Sequence, residues 1–177
     1  MQQTEKPSFE QVLTANKEAI FRICRIYAST PMEPQDLFQE VTFHIWKAYS
    51  TFENRSNVNT WVYRVALNVC IRSKEKLEKR NEKMTRFDSI ELSHAPAKTD
   101  KLEEEKYLAL RSCINKLHEV DQAIVILSLD ELPYKEIAAV TGITENHVAV
   151  KMKRIRTILL RCITNKINED DQRRTEF

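Results

Sequence analysis

Residues 132–160 read LPYKEIAAVTGITENHVAVKMKRIRTILL, and Gly142 inside that run is the only glycine of the chain. A chain with a single glycine spends it where the backbone must turn in a way that other residues resist. Ahead of it, Tyr134 to Val140 carries a short helical pattern with Ile137 and Ala138 facing inward. Beyond it, a longer pattern runs from Glu145 to Ile163, with Thr144 as the expected N-cap. Helix, short glycine turn, helix is the outline of a helix-turn-helix.

The second helix has two unlike faces. At about 100° per residue, Val148, Met152, Ile155, Leu159 and Cys162 fall on one side. Asn146, Val150, Lys153, Arg154, Thr157 and Arg161 fall on the other. Positive charge gathers there, as a helix lying in a DNA groove requires. Val150, flanked by Lys153 and Arg154, is placed to touch a thymine methyl in the major groove. The competing reading is a solvated helix face with one stray valine. The glycine turn in front of it favours DNA contact.

Composition narrows the fold. The chain has 177 residues, 42% of them hydrophobic, which allows one or two small domains with cores. One glycine and five prolines leave few tight turns and argue against an all-β fold. Long helical periodicities point to an all-α fold. The net charge is only +2, but its distribution is uneven. Arg64 to Arg86 holds eight basic and three acidic residues, whereas Asp88 to Glu145 holds six and twelve. Two basic elements around an acidic middle suggest two nucleic-acid contacts rather than one.

Cys24, Cys70, Cys113 and Cys162 form no C-x-x-C pair and each sits inside a helical pattern. Buried free thiols are the expectation, in a reducing cytoplasm and without a disulfide framework. The four histidines are scattered, so no metal site is expected. No apolar run approaches membrane-spanning length.

The N-terminal half reads as three helices. Pro7 to Tyr27, capped by Ser8, turns Phe9, Val12, Leu13, Ile20, Ile23 and Tyr27 inward. A second helix starts near Pro34 and ends near Tyr49, with Leu37, Phe38, Val41, Ile45 and Tyr49 as its core stripe. Its other side carries Asp36, Gln39, Glu40, Phe43, Trp46 and Lys47. Two large aromatics on a polar face are either covered by a third helix or form a protein-docking surface. After the polar loop Ser50 to Asn59, Thr60 is expected to cap a third helix. Trp61, Val62, Val65, Ala66, Val69 and Cys70 form its apolar arc; Arg64, Asn68, Arg72, Glu75 and Lys79 form a narrow polar stripe. Aromatic, amide and guanidinium groups together suit single-stranded bases. Spacing alone does not separate that reading from an ordinary solvated face.

From about Asn81 to Lys101 the periodicity dissolves, and Pro96 sits among small residues. This stretch reads as an interdomain linker. Helical patterns resume at Glu103 to Lys116 and Gln122 to Leu129 and lead into the helix-turn-helix. The expected architecture is two small helical domains joined by a flexible linker, the second containing the helix-turn-helix, with a charged and frayed tail.

The joint pattern resembles the extracytoplasmic-function group of bacterial RNA polymerase sigma factors, in the sigma-70 family. The likeness rests on Asp36-Leu37-x-Gln39-Glu40 followed by Phe43 and Trp46, on Phe52, and on Thr60-Trp61-Val62-Tyr63-Arg64-Val65-Ala66-x-Asn68. It continues in Tyr134-Lys135-Glu136-Ile137-Ala138, in Gly142-Ile143, and in Val148 with Lys151, Met152, Arg154 and Arg156. One such block is modest evidence; all of them in order are specific.

The resemblance implies a region 2 domain over residues 1–82, a linker over 83–101, a region 4 domain over 102–168 and a tail over 169–177. It implies a sigma factor that binds core RNA polymerase and directs promoter recognition, −10 melting and transcription initiation. Asp36, Gln39, Glu40, Phe43 and Lys47 would dock on the clamp helices of the largest polymerase subunit. Phe52, Asn54, Arg55, Asn57, Trp61, Arg64, Asn68 and Arg72 would read the −10 element. Asn146, His147, Ala149, Val150, Lys153, Arg154 and Thr157 would read the −35 element. The flap of the second-largest subunit, promoter DNA and an anti-sigma factor are further implied partners. The implied location is cytoplasmic, without membrane insertion. No catalytic residue, cofactor or metal is implied. The chain departs from the family pattern at Asn146-His147 and at Ala149-Val150, where small and then polar or basic residues are usual. The alternative is a classical helix-turn-helix regulator that does not associate with core polymerase.

Overall fold

The computed structural model describes residues 7–53, 56–84 and 101–175, with side chains at 81–84, 101–105 and 169–175 left aside. Seven helices and no named strand occur among the described residues: α1 (Phe9–Tyr27), α2 (Pro34–Tyr49), α3 (Val58–Met84), α4 (Lys101–Asn115), α5 (Glu119–Leu129), α6 (Tyr134–Thr141) and α7 (Glu145–Thr175). The first three pack on one another, and the last four form a second bundle. The bundles meet where α3 touches α6 and α1 touches α4.

Helix starts follow local chemistry. Ser8 and Gln11 close a capping box: the Gln11 N–H donates to Ser8 Oγ at 3.2 Å and the Ser8 N–H to Gln11 Oε1 at 2.8 Å. Pro34 stands at the start of α2, where its missing N–H costs nothing. Helix α3 starts earlier than expected. Its cap is Asn57, whose Oδ1 accepts from the Asn59 N–H at 2.9 Å, and Thr60 lies buried inside the first turn. An asparagine four residues before the apolar arc caps as well as a threonine next to it, so the arc alone misplaces the start.

The first core joins Ile20, Ile23 and Tyr27 of α1 to Leu37, Val41 and Ile45 of α2 and to Val62 and Ala66 of α3, all buried. Buried Asn16 donates from Nδ2 to the Val12 carbonyl at 2.9 Å and to Asn59 Oδ1 at 3.0 Å, tying α1 to the start of α3. The second core gathers Ile114, Ile124, Leu127, Ile137, Val148, Met152 and Ile155. Gln122, 1% exposed, donates from Nε2 to the carbonyls of Asn115 (3.1 Å) and Leu117 (2.9 Å). It thereby satisfies acceptors left open at the end of α4.

Two expectations need correction. Cys113 and Cys162 are joined by a disulfide between α4 and α7, with their Cα atoms 6.0 Å apart, while Cys24 and Cys70 remain free and buried. No sequence-local spacing announces this bond, because the partners stand 49 residues apart and meet only through helix packing. Helix α7 also continues to Thr175, through the described part of the stretch expected as a frayed tail. The long neutral-to-charged continuation keeps the i to i−4 ladder without a breaking Gly or Pro. The linker expected over 83–101 lies mostly outside the described residues.

Candidate nucleic-acid interface

Gly142 ends α6 at φ 76, in the left-handed region, and its N–H donates to the Ala138 carbonyl at 2.9 Å. This is a glycine helix stop, with no Cβ to penalise the turn. Three residues later α7 begins. The Thr144 hydroxyl accepts the His147 N–H at 3.3 Å, as an N-cap does. Val148, Met152 and Ile155 are buried, which fixes the rotation of α7 on the bundle. Asn146, His147, Lys153, Arg154 and Thr157 are consequently exposed, Val150 is 61% exposed, and Ala149 is half-buried. Apart from Ala149, the seven residues expected at a −35 element share an open face.

Two of the basic groups on this helix have an internal tether. Asp121, on the first turn of α5, is 3% exposed. Its Oδ1 accepts from Lys151 Nζ at 2.8 Å and its Oδ2 from Arg154 Nη2 at 3.2 Å. Burial alone would raise the Asp121 pKa, but the two cations outweigh it and hold the carboxyl below the usual carboxylate range. Arg154 keeps 67% of its side chain in solvent and can swing outward, whereas Lys151 keeps 23%. The Thr157 hydroxyl donates to the Lys153 carbonyl at 3.3 Å, so its hydrogen is engaged within the helix.

A second surface lies around α3. The Phe52 and Trp61 rings stand 4.8 Å apart, and Tyr49 lies about equally close to both, at 6.2 and 6.1 Å. Trp61 is thus a half-buried member of an aromatic cluster as well as a base-stacking candidate. Asn57 serves as the cap of α3. Arg64, Asn68 and Arg72, spaced by one turn each, are exposed. Asn54 and Arg55 lie outside the described residues.

The structure divides this group. The aromatic pair marks one end of the surface, while Arg64 and Asn68 face the other bundle. The Arg64 guanidinium donates to the Ala139 carbonyl. Arg64, Asn68, Leu67 and Ile71 of α3 line a cavity of about 190 Å³ closed from the far side by Glu119, Val120, Ala123, Val140 and Thr141.

A third surface is the outer face of α2. Asp36, Gln39, Glu40, Phe43 and Lys47 are all exposed there. Phe43 is 54% and Trp46 59% exposed, with ring centroids 6.1 Å apart, so no third helix among the described residues covers them. They border an apolar hollow of about 330 Å³ shared with Phe9, Phe38 and Thr42. Ser73 of α3 donates to Glu40 Oε2 at 3.1 Å and orients that carboxylate.

Several participating residues carry no local signal. Arg22 of α1 and Tyr63 of α3 both donate to Asp130, which ends α5. Burial and that hydrogen bond raise the Tyr63 phenol well above its ordinary pKa. Arg22 looks like any exposed arginine of an amphipathic helix, and only the packing of the two bundles reveals its partner.

Comparison with known proteins bears on the whole chain. The family described as Sigma-70 region 2 matches residues 12–80, and that described as Sigma-70, region 4 matches residues 107–159. The ECF RNA polymerase sigma factor SigG of Mycobacterium tuberculosis is 38% identical over 48 residues, or 27% of this chain. That match spans only 13% of the relative's length. The sigma factor RpoE of Bartonella quintana, solved with the anti-sigma factor NepR, superposes with a TM-score of 0.70 at 19% identity, covering 88% of this chain and 96% of that one. CnrH, solved with the cytosolic domain of CnrY, gives a TM-score of 0.63 at 18% identity, covering 89% and 88%. These two likenesses concern the fold and take in both bundles together.

Proposed function

Because the chain belongs to the extracytoplasmic-function group of the sigma-70 family, we propose that it binds core RNA polymerase and directs it to promoters. The observation that carries this is the coexistence of two unlike surfaces in one chain. An open aromatic-and-acidic face on α2 stands beside a separate helix-turn-helix. A classical helix-turn-helix regulator has use for the second only.

Division of labour follows from the chemistry of each surface. Gln39, Glu40, Phe43 and Lys47, with Asp36, offer apolar area ringed by charge, the make-up of a transient protein interface, here for the clamp helices of the largest polymerase subunit. The exposed face of α7 enters the −35 major groove, where Lys153 and Arg154 hold phosphates or guanine edges and Val150 meets a thymine methyl. The loop from Phe52 to Asn57, Trp61 and the Arg64–Asn68–Arg72 stripe take the −10 strand. Opening duplex DNA costs about 1–2 kcal/mol per base-pair step. Stacking on aromatic side chains returns about 1–3 kcal/mol per base. The chain therefore works by binding, and no catalytic residue is assigned to it.

The domain limits 1–82 and 102–168, with a linker over 83–101 that runs into the polymerase, complete this reading. An anti-sigma factor is a further proposed partner, since the structurally similar RpoE of Bartonella quintana was solved with the anti-sigma factor NepR. No helix among the described residues is long and apolar enough to cross a membrane, and a cytoplasmic location fits the role.

Reconstitution tests it. The purified chain mixed with core polymerase should form a complex and start transcripts at discrete genomic sites found by transcript mapping. DNA binding without any polymerase association would replace this reading with the classical regulator.

A further inference from the structure

We infer that Cys113 and Cys162 form a reversible redox site, worked by low-molecular-weight thiols and disulfides at the Cys162 sulfur, and that closing this bond strengthens the binding of −35 duplex by α7. The inference rests on the proposed reading of α7 as the −35 helix.

The four cysteines fall into two pairs of opposite character. Cys24 of α1 and Cys70 of α3 are hydrogen-bonded to each other, free, and both 0% exposed. That hydrogen bond and burial push the Cys70 thiol far above its ordinary pKa, so it stays protonated and inert. Cys113 of α4 is 2% exposed, but Cys162 of α7, to which it is bonded, is only half-buried. Cys162 is therefore the side from which a small thiol approaches. Arg161 precedes it, Lys166 stands one turn on, and no acidic residue occurs from 151 to 167. Such a setting draws in anionic thiolates and stabilises thiolate charge as it develops.

The bond sits where α7 has least else to hold it. Val148, Met152 and Ile155 of this helix are buried, whereas none of residues 156–168 is. Leu160 is 71% exposed. Past Ile155, half-buried side chains such as Leu159 and Ile163 and the disulfide are what keep α7 on its bundle. A helical domain of fewer than about 70–80 residues is marginal on its core alone and depends on such a staple. The segment matched by the region 4 family ends at 159, so Cys162 lies beyond it.

Cys162 shares the inward side of α7 with Val148 and Met152, so the reading face stays open in both redox states. What changes is how firmly the helix behind that face is held. Apparent affinity follows the fraction of molecules in the binding-competent arrangement.

The exchange balances. In the open state the Cys162 thiolate attacks a small disulfide, RSSR, forming a mixed disulfide and releasing a thiolate that takes up the proton Cys162 lost. Cys113 then gives up its proton and attacks the Cys162 sulfur, and the second small thiolate leaves and is protonated. Two protein thiols and one RSSR become the protein disulfide and two RSH, with two electrons passing to RSSR. Excess thiol runs the steps backwards. In a reducing cytoplasm the site rests open and closes when disulfides accumulate.

The full chain, equilibrated across mixtures of reduced and oxidised glutathione, tests this. Samples quenched in acid, unfolded and alkylated are read by peptide mass spectrometry. Fluorescence anisotropy on parallel samples reads affinity for a duplex carrying a −35 element mapped from the chain's own transcripts. Cys113 and Cys162 should become protected together as oxidised glutathione rises, while Cys24 and Cys70 are alkylated in every mixture. The closed chain should bind the duplex about fivefold tighter than the open chain. Cys162→Ser, matched to the reduced wild type by circular dichroism, should bind like the open chain in every mixture. A bond that no mixture opens, or that none closes, overturns the redox site. Equal affinity of the open and closed chains, or a Cys162→Ser variant that still responds to the mixtures, overturns its coupling to DNA. Duplex binding by neither state overturns the coupling together with the reading of α7. Polymerase association, measured on the same samples, decides separately whether the sigma reading stands.

Discussion

Lys151 Nζ lies 2.8 Å from Asp121 Oδ1, joining the DNA-facing helix to the helix that supports it. The native Asp121 carboxyl is held below its ordinary pKa, so the unfolded chain takes up this proton first as the pH falls. The contribution is therefore fully present above about pH 4 and is lost as the pH drops through the lower native value. Urea midpoints between pH 6 and pH 2.5 should show a loss on the acid side that shrinks in Asp121→Asn. An unaltered acid profile in that variant would remove Asp121 from the account.

The two cations on Asp121 should separate by substitution. Lys151→Ala should destabilise the second bundle by about 1 kcal/mol and barely affect promoter binding, because its ammonium is mostly buried against α5. Arg154→Ala should do the reverse, weakening duplex binding about tenfold with little change in stability, as expected for losing about 1–3 kcal/mol at a base contact. Fluorescence anisotropy with a mapped −35 duplex and thermal melts read both effects. Equal behaviour of the two variants contradicts the assignment.

Gly142→Ala should cost about 1–2 kcal/mol. A Cβ there meets nothing within 4 Å, so the whole cost is the left-handed backbone and none of it is steric crowding. Gly142→Asn should cost less, since asparagine tolerates that conformation. Chemical denaturation would reveal an error here if Asn proved the worse of the two.

Glu40→Lys and Trp46→Ala should each weaken core polymerase association by about tenfold or more, the range in which aromatic anchors and central charges of an interface fall. Trp46 is 59% exposed, so its removal should leave the melting temperature within about 2 °C. A large loss of stability would mean that the residue supports the bundle instead.

Reducing the Cys113–Cys162 bond should destabilise the second bundle by about 2–4 kcal/mol, as for a disulfide closing a loop of this size. Melting with and without tris(2-carboxyethyl)phosphine measures it. The double variant Cys113→Ser with Cys162→Ser should be insensitive to reductant. A shift of the same size in that variant would exclude the bond as its cause.

What the sequence reveals and what it hides divide along a physical line. The helices are legible because apolar residues at i, i+3 and i+4 reflect a local period, and Gly142, Ser8, Pro34 and Thr144 punctuate it. The exposed α7 face is legible for the same reason: burying Val148, Met152 and Ile155 fixes where Lys153 and Arg154 point. The start of α3 is misread because Asn57 and Thr60 both make acceptable caps. The disulfide is missed because α4 and α7 are brought together by the bundle and by no spacing. Tyr63 and Arg22 meet Asp130 across 67 and 108 residues, and helical periodicity carries no information about such pairs. The sequence marks Arg64 and Asn68 as a polar stripe but is silent on the residues of the second bundle that border it.

The grip of Arg22 and Tyr63 on Asp130 also limits how far the two halves can be treated as interchangeable parts. A hybrid that joins this first bundle to a foreign helix-turn-helix domain without an acidic group at that turn would leave the Arg22 guanidinium and the Tyr63 hydroxyl without their shared acceptor. Compatibility between halves is thus written in one carboxylate, and exchange of domains between relatives should succeed most often where that carboxylate travels with its bundle.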